Sequence, residues 1–264
     1  MKRKLLMAAL TLVVAVSASA ASLTQTIDKT FDVKPGASVR LTNVNGRITV
    51  TAWDQPRVKV VAVKKVEADR DEVKQVMNEL RVDLQPSNGG LNIVTKYPKR
   101  DEGIGSIFSW IMGDDVQAQV TFELTVPRSM NVDVTNTNGS IHLDDVTGTH
   151  ELDTTNGKIE VTRCAGSLEA STTNGAIHAE LTRVSKGQPL RFETTNGRIE
   201  VELPSDLAVD VDAGTTNGAI HTDLPIATTR VSRNSLRGTI NGGGTSLRMR
   251  TTNGGIEIRS AGRS

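Results

Sequence analysis

The sequence predicts an all-β fold in which short coils stack as a parallel solenoid, and three observations carry that prediction. The string Thr-Thr-Asn-Gly recurs at Thr154-Thr155-Asn156-Gly157, Thr172-Thr173-Asn174-Gly175, Thr194-Thr195-Asn196-Gly197, Thr215-Thr216-Asn217-Gly218 and Thr251-Thr252-Asn253-Gly254. Looser copies stand at Asn136-Thr137-Asn138-Gly139 and Asn43-Val44-Asn45-Gly46. From Asn138 the corner asparagines step by 18, 18, 22, 21 and 36 residues, the last equal to two steps of 18. A near-constant period of about twenty residues marks stacked repeats.

The second observation is parity. Three residues after each Asn stand Ile141, Ile159, Ile177, Ile199, Ile220 and Ile256; five after stand Leu143, Val161, Ala179, Val201, Thr222 and Ile258. Four before stand Val134, Leu152, Ala170, Phe192, Ala213 and Met249. These rows form the expected core, and the charged or Thr positions between them point outward, as alternating half-buried strands require. Third, the recurrence of Thr, Val, Asn and Gly is β-rich composition. Asn-Gly is also the strongest short hairpin signal, so an antiparallel meander fits the string too. Like residues stacked on like favour the solenoid, because buried Asn side chains can bond up and down a ladder.

Taken in order, the chain opens outside that fold. Lys2-Arg3-Lys4 is basic, residues 5–16 are apolar, and Ala18-Ser19-Ala20 is a small-residue cleavage motif. This is the pattern of a secretory signal peptide, cut after Ala20 and too short for a comfortable membrane span. The expected organisation is a signal peptide over 1–20, a strand-rich portion with one helix over 21–129, and solenoid repeats over 130–264. Export places the protein in the periplasm, the cell envelope or outside the cell. With Cys164 as its single cysteine, the chain forms no internal disulfide.

Residues 31–64 read as strands: Val39 and Leu41 alternate before the Asn45-Gly46 turn, Ile48 and Val50 follow it, and Val58, Val60 and Val63 close the block. Asp69 with Glu72 has the form of a capping box. Behind it Val73, Val76, Met77, Leu80 and Leu84 fall at helical spacing, which predicts a helix over roughly 70–81. Leu91-Asn92-Ile93-Val94 is another strand after the Ser87-Asn88-Gly89-Gly90 turn. An insert over 99–115 follows, in which Ile104, Ile107, Phe108 and Ile111, with Trp110 beside them, give a short helix with one apolar side. It is expected either to cover an open end of the stack or to contact a partner or membrane surface. Residues 116–126 alternate cleanly, with Val120, Phe122, Leu124 and Val126 on one side.

Each coil from Met130 onward is strand, Asn-Gly corner, strand and a looser turn. The corner residues are Asn138, Gly139, Asn156, Gly157, Asn174, Gly175, Asn196, Gly197, Asn217, Gly218, Asn253 and Gly254. Their structural role is the left-handed backbone that a sharp corner needs, which requires no ligand.

The signals for chemistry are thin. A net charge of +1 argues against a nucleic-acid binder, and 3% aromatics against stacking platforms for sugars or single strands. No Gly-x-Ser-x-Gly elbow, P-loop or His-Glu-x-x-His motif is present. Four after each Asn stand His142, Glu160, His178, Glu200, His221 and, beyond a gap, Glu257, an expected outward file of alternating imidazole and carboxylate. It reads as a surface ladder of weak pairs. The weak metal candidates within it are His178, Glu160 and Glu200, for Zn²⁺ or Cu²⁺, and no cofactor is expected. Glu151, Glu169, Arg191, Asp212 and Arg248 form a second outward row that could floor a polysaccharide-enzyme groove. His150 falls on an inward row and is expected to be a satisfied structural histidine.

The early Phe31-Asp32-Val33 with Gly36, the segment from Asn45-Gly46-Arg47-Ile48 to Trp53-Asp54, the Thr-Thr-Asn-Gly-x-Ile coils and the closing Arg237-Gly238-Thr239-Ile240-Asn241-Gly242-Gly243-Gly244 together resemble the bacterial putative-adhesin family of unknown function. The resemblance covers nearly all of the mature chain. It implies a single-stranded β-helix, related in style to auto-transporter adhesin heads, and implies no catalytic residues. The expected function is that of a non-enzymatic, adhesin-like envelope protein whose partner is an envelope protein or polysaccharide, with membrane contact open to 104–111. The alternatives are a carbohydrate-active β-helix enzyme and a metal-binding module.

Overall fold

The computed structural model describes residues 22–68, 72–98, 116–184 and 187–261. The expected signal peptide, Asp69 and the insert with Ile104, Ile107, Phe108, Trp110 and Ile111 lie outside the described residues.

The described chain is all-β with one helix. Its first part comprises β1 (Ser22–Asp32), β2 (Ser38–Thr42), β3 (Ile48–Trp53), β4 (Arg57–Glu67), α1 (Val73–Glu79), β5 (Arg81–Ser87), β6 (Gly90–Lys96) and β7 (Gln117–Pro127). The coils follow as β8 (Asn131–Asn138), β9 (Ile141–Asp144), β10 (Thr147–Asn156), β11 (Ile159–Asn174), β12 (Ile177–Arg183), β13 (Leu190–Asn196), β14 (Ile199–Leu203), β15 (Val209–Asn217) and β16 (Ile220–Thr222). Last come β17 (Ala227–Ser232), β18 (Ser235–Ile240), β19 (Thr245–Asn253) and β20 (Ile256–Ser260).

Pairing separates these strands into two parallel files joined at the Asn-Gly corners. Before the corner, β6, β2, β8, β10, the second half of β11, β13, β19 and β15 pair each with the next. After it, β7, β3, β9, the first half of β11, β12, β14, β20 and β16 do the same. The register sets Asn138, Asn156, Asn174 and Asn196 side by side. The inward rows meet in one buried core running from Val39 and Ile48 to Met249 and Ile258.

Four expectations are corrected. The pairing is mixed rather than purely parallel: β1–β4, β4–β7, β5–β6, β15–β18 and β17–β18 are antiparallel. These hairpins lie toward the ends of the files, where a parallel stack leaves unpaired backbone that must be covered.

The corner glycines have a different cause from the one expected. Left-handed backbone occurs at Gly139 and Gly254, whereas the corner asparagines do not adopt it. At the other corners the constraint is close stacking: a Cβ on Gly175 would stand 2.0 Å from the Gly157 oxygen, and one on Gly197 1.8 Å from the Gly175 oxygen. The corner asparagines are also half-exposed to exposed rather than buried. They still form the ladder, with Nδ2-to-Oδ1 bonds of 2.8 Å from Asn156 to Asn138, 2.8 Å from Asn174 to Asn156 and 2.8 Å from Asn196 to Asn174. Beneath them the first Thr of each motif is buried and donates to the Gly carbonyl of the adjacent coil, as Thr172 does to Gly157 at 3.1 Å and Thr194 to Gly175 at 2.9 Å.

The order of coils is the third correction. The coil of Asn253 does not follow that of Asn217 but sits between it and the coil of Asn196. Asn253 donates to Asn196 at 2.7 Å and accepts from Asn217 at 2.8 Å. Strand β15 therefore lies between β18 and β19, which are consecutive in the chain. The link across it is Asn241-Gly242-Gly243-Gly244, with φ of 51°, 83°, 81° and 153°. Asn241 Nδ2 donates to the Ser205 and Leu207 carbonyls at 2.9 Å each, and the Gly244 N–H donates to Asp210 Oδ2 at 3.1 Å. The glycine-rich closing motif is thus a crossover that needs left-handed backbone.

Fourth, the helix ends sooner than its periodicity suggests, and Leu84 belongs to β5. Its N-cap is Glu72, with no side-chain capping bond. Its C-terminal end is held by Lys64, a buried lysine on β4 whose ammonium donates to the Met77 and Leu80 carbonyls at 3.2 and 2.9 Å. A cation at a helix C-terminus is favourable, which offsets part of the cost of burying it.

Candidate functional site

Outward side chains of the two files form two charged faces. On the second file the order is His142, Glu160, His178, Glu200, Glu257, His221, because the Asn253 coil is interposed. The expected alternation holds as far as Glu200 and then breaks, placing Glu200 and Glu257 side by side. Arg259 resolves that repulsion by bonding Glu200 at 2.8 Å and Glu257 at 2.5 Å, and Arg198 lies 3.7 Å from Glu257.

Of the weak metal candidates, the structure brings His178 and Glu200 together, with Nδ1 3.8 Å from Oε2. The third donor beside them is Glu202 rather than Glu160: one donor atom each from His178, Glu200 and Glu202 lies within 4.8 Å of the others. Glu160 instead accepts from Lys158 at 2.9 Å and stands 3.7 Å from His142 Nδ1. The Lys158 ammonium, with smaller help from His142 and His178, holds the Glu160 carboxyl below its usual range against partial desolvation. Parity would have found Glu202, which stands two residues beyond Glu200 and so on the same face. One imidazole and two carboxylates are donors suited to Zn²⁺, although the Arg259 guanidinium on Glu200 opposes a second cation there.

On the first file the second predicted row runs Arg40, Asp133, Glu151, Glu169, Arg191, Arg248, Asp212, Arg237. Glu151, Asp153, Glu169, Ser171, Arg191 and Glu193 line a shallow cavity of about 230 Å³. Desolvation raises the Glu151 carboxyl, and the neighbouring carboxylates of Asp133, Asp153 and Glu169 add to it. Arg250 and Arg237 at 2.6 and 3.0 Å lower that of Asp212 against desolvation. A second recess of about 370 Å³, lined by Val33, Pro35, Trp53, Pro56, Pro127 and Arg128 among others, carried no sequence signal because its residues come from three separate turns.

Inside the stack, His150 corrects the expectation of a satisfied histidine. It is 1% exposed, and neither ring nitrogen has a hydrogen-bond partner. Desolvation pushes its pKa down to about 4, with the backbone of Val146 and Ala165 opposing only in part. Burial likewise pushes the Cys164 thiol up to about 12, so this cysteine is a buried filler and not a reactive thiolate.

These features define an all-β, solenoid-like domain built of repeated coils with polar outward faces. The chain belongs to the Toastrack DUF4097 family, whose profile matches residues 38–259. Among solved structures it is similar to a putative cell adhesion protein from Clostridium sporogenes, at 12% identity over 90% of this chain and 100% of that one, with a TM-score of 0.42. It is also similar to a putative adhesin from Bacteroides fragilis, at 12% identity over 90% and 97% with a TM-score of 0.28. A putative lipid binding protein from Parabacteroides distasonis matches at 9% identity over 89% and 96%, with a TM-score of 0.23. Likenesses this distant carry no argument about what this chain binds. No curated protein matches it.

Proposed function

We propose that this protein is a non-enzymatic, exported envelope protein, adhesin-like in role, whose Thr-Thr-Asn-Gly coils form a rigid parallel scaffold for outward charged rows. The observation that supports this most is the distribution of charge. On the second face Glu160, Glu200 and Glu257 are held by Lys158, His142, His178 and Arg259. On the first, Asp133, Glu151 and Glu169 stand side by side as an acidic stretch followed by Arg191 and Arg248, a patterned charge that suits an extended contact with a protein or polysaccharide. The signal-peptide pattern at residues 1–20 supports export. Co-sedimentation with isolated cell envelopes tests the reading. The natural chain is expected in the pellet, and Glu151→Lys with Glu169→Lys is expected to shift it to the supernatant. Turnover of a uronate polymer, abolished by Glu169→Gln or Arg191→Gln, would overturn it in favour of a carbohydrate-active enzyme.

The convergence of His178, Glu200 and Glu202 supports a second reading, a metal-binding module. Calorimetric titration with Zn²⁺ separates the two. The scaffold reading expects no saturable isotherm below the micromolar range, and a stoichiometric one lost in His178→Ala would establish the module.

A further inference from the structure

The slot between the Asn196 and Asn217 coils is filled by a segment that reaches it across a single short link. On one side β19 and β20 meet β13 and β14 through Leu190 and Leu247, Phe192 and Met249, Ile199 and Ile256, and Val201 and Ile258. On the other they meet β15 and β16 through Val211 and Leu247, Ala213 and Met249, and Ile220 and Ile256. Every one of these contacts repeats a column used elsewhere in the stack, and the ladder bonds at Asn253 match those at Asn174 and Asn196 in length to within 0.1 Å. Nothing in the slot therefore distinguishes this chain's own 245–260 coil from the same coil of another copy. The connection is residues 241–244, four consecutive positions with positive φ.

We propose that the 245–260 coil is exchangeable: a second copy of this chain inserts its coil between the 190–203 and 209–222 coils, with residues 241–244 as the hinge. The inter-coil contacts are identical in closed and exchanged forms, so the balance is set by the hinge backbone and by concentration, which is the condition for domain swapping. The closed form holds because its coil is tethered at an effective concentration in the millimolar range. Strain placed in the closed link shifts the balance toward exchange. Gly242 is the position for it: φ is +83°, and an added Cβ meets nothing within 4 Å, so a side chain there strains the backbone without a clash. A β-branched residue with positive φ is strongly disfavoured.

The test uses the full chain refolded from denaturant over a concentration series, analysed by size-exclusion chromatography with light scattering. Gly242→Val is expected to raise the dimer fraction about fivefold or more over the natural sequence, the change that a modest backbone strain produces. The identity of the contact is read by cysteine trapping. Two chains, each carrying Cys164→Ser, hold Arg191→Cys or Arg248→Cys, positions paired across β13 and β19. Both variants in one chain give the intramolecular bond that confirms the geometry. Refolded together as single variants at a total concentration approaching the millimolar range, where a second copy competes with the tethered coil, they are expected to give a disulfide-linked dimer of the two different chains. That trapping keeps the natural hinge, so it decides the matter even if Gly242→Val fails to fold. Co-refolded single variants that stay unlinked, or a Gly242→Val dimer that the 191–248 pair does not trap, overturn the proposal.

Discussion

Replacing His150 with Leu should remove a large share of the protein's acid sensitivity. The side chain stands on β10 between Val132 and Leu168 of the flanking strands, points inward and leaves both ring nitrogens without partners. Its folded pKa of about 4 lies below the usual 6.5, so the proton binds the unfolded chain more tightly. Stability is therefore fully held above pH 6.5, falls as the pH drops below that value, and levels out once the pH passes the folded value near 4. At about 1.4 kcal/mol per pH unit, the gap amounts to about 3 kcal/mol, of which about 2 is already lost at roughly pH 5. The assay is chemical denaturation of the natural chain and His150→Leu at roughly pH 7.5 and 5. Other groups titrate in both proteins, so the informative quantity is the difference between their losses, expected at about 2 kcal/mol. Near neutral pH the leucine should be neutral to stabilising, because it relieves two buried polar atoms left unpaired. Equal losses on acidification would refute the reasoning and place a bound water or polar partner at the imidazole.

Three further outcomes are expected. Gly175→Ala forces a methyl group to within 2.0 Å of the Gly157 oxygen, so thermal unfolding should report a loss of about 3 kcal/mol, at the upper end for overpacking. Asn174→Ala removes one ladder donor and one acceptor at an exposed corner, and urea unfolding should show a loss of about 1 kcal/mol, shared by Asn196→Ala if the ladder acts as repeated independent bonds. Lys64→Met strands the Met77 and Leu80 carbonyls, costing about 2 kcal/mol, and hydrogen exchange should locate the loss of protection at α1.

Much of the fold was legible because its rows are written by period and parity. Ile141, Ile159, Ile177, Ile199 and Ile256 are all buried as their spacing requires. Ile220 is half-buried because its coil ends the file, a consequence of position that its identity does not encode. The order of coils was hidden for the same reason that the fold was visible. Repeats that match in every column offer no residue to say which coil lies beside which, and a step of 36 reads equally as a gap or a crossover. The crossover was signalled only by Asn241-Gly242-Gly243-Gly244, whose meaning depends on Ser205, Leu207 and Asp210 far back in the chain. At the candidate site, parity placed the His–Glu face correctly. It failed at Glu257, where intercalation set carboxylate against carboxylate, and Arg259 became the group that organises that end. Lys64 escaped notice because strand alternation assigns it to the inward side, where a lysine looks out of place until the helix end above it is known.

The position of the 245–260 coil is tested most directly by pairwise cysteine trapping within one chain lacking Cys164. Parallel neighbours stand about 4.8 Å apart and can close a disulfide, while strands two places apart stand at about twice that distance and cannot. Arg191→Cys with Arg248→Cys, and Arg248→Cys with Asp212→Cys, should each link rapidly in the folded protein, and Arg191→Cys with Asp212→Cys should not. Rapid linkage of 191 to 212, with 248 linking only to 212, would mean that the coils stack in chain order, and the intercalated architecture would be wrong.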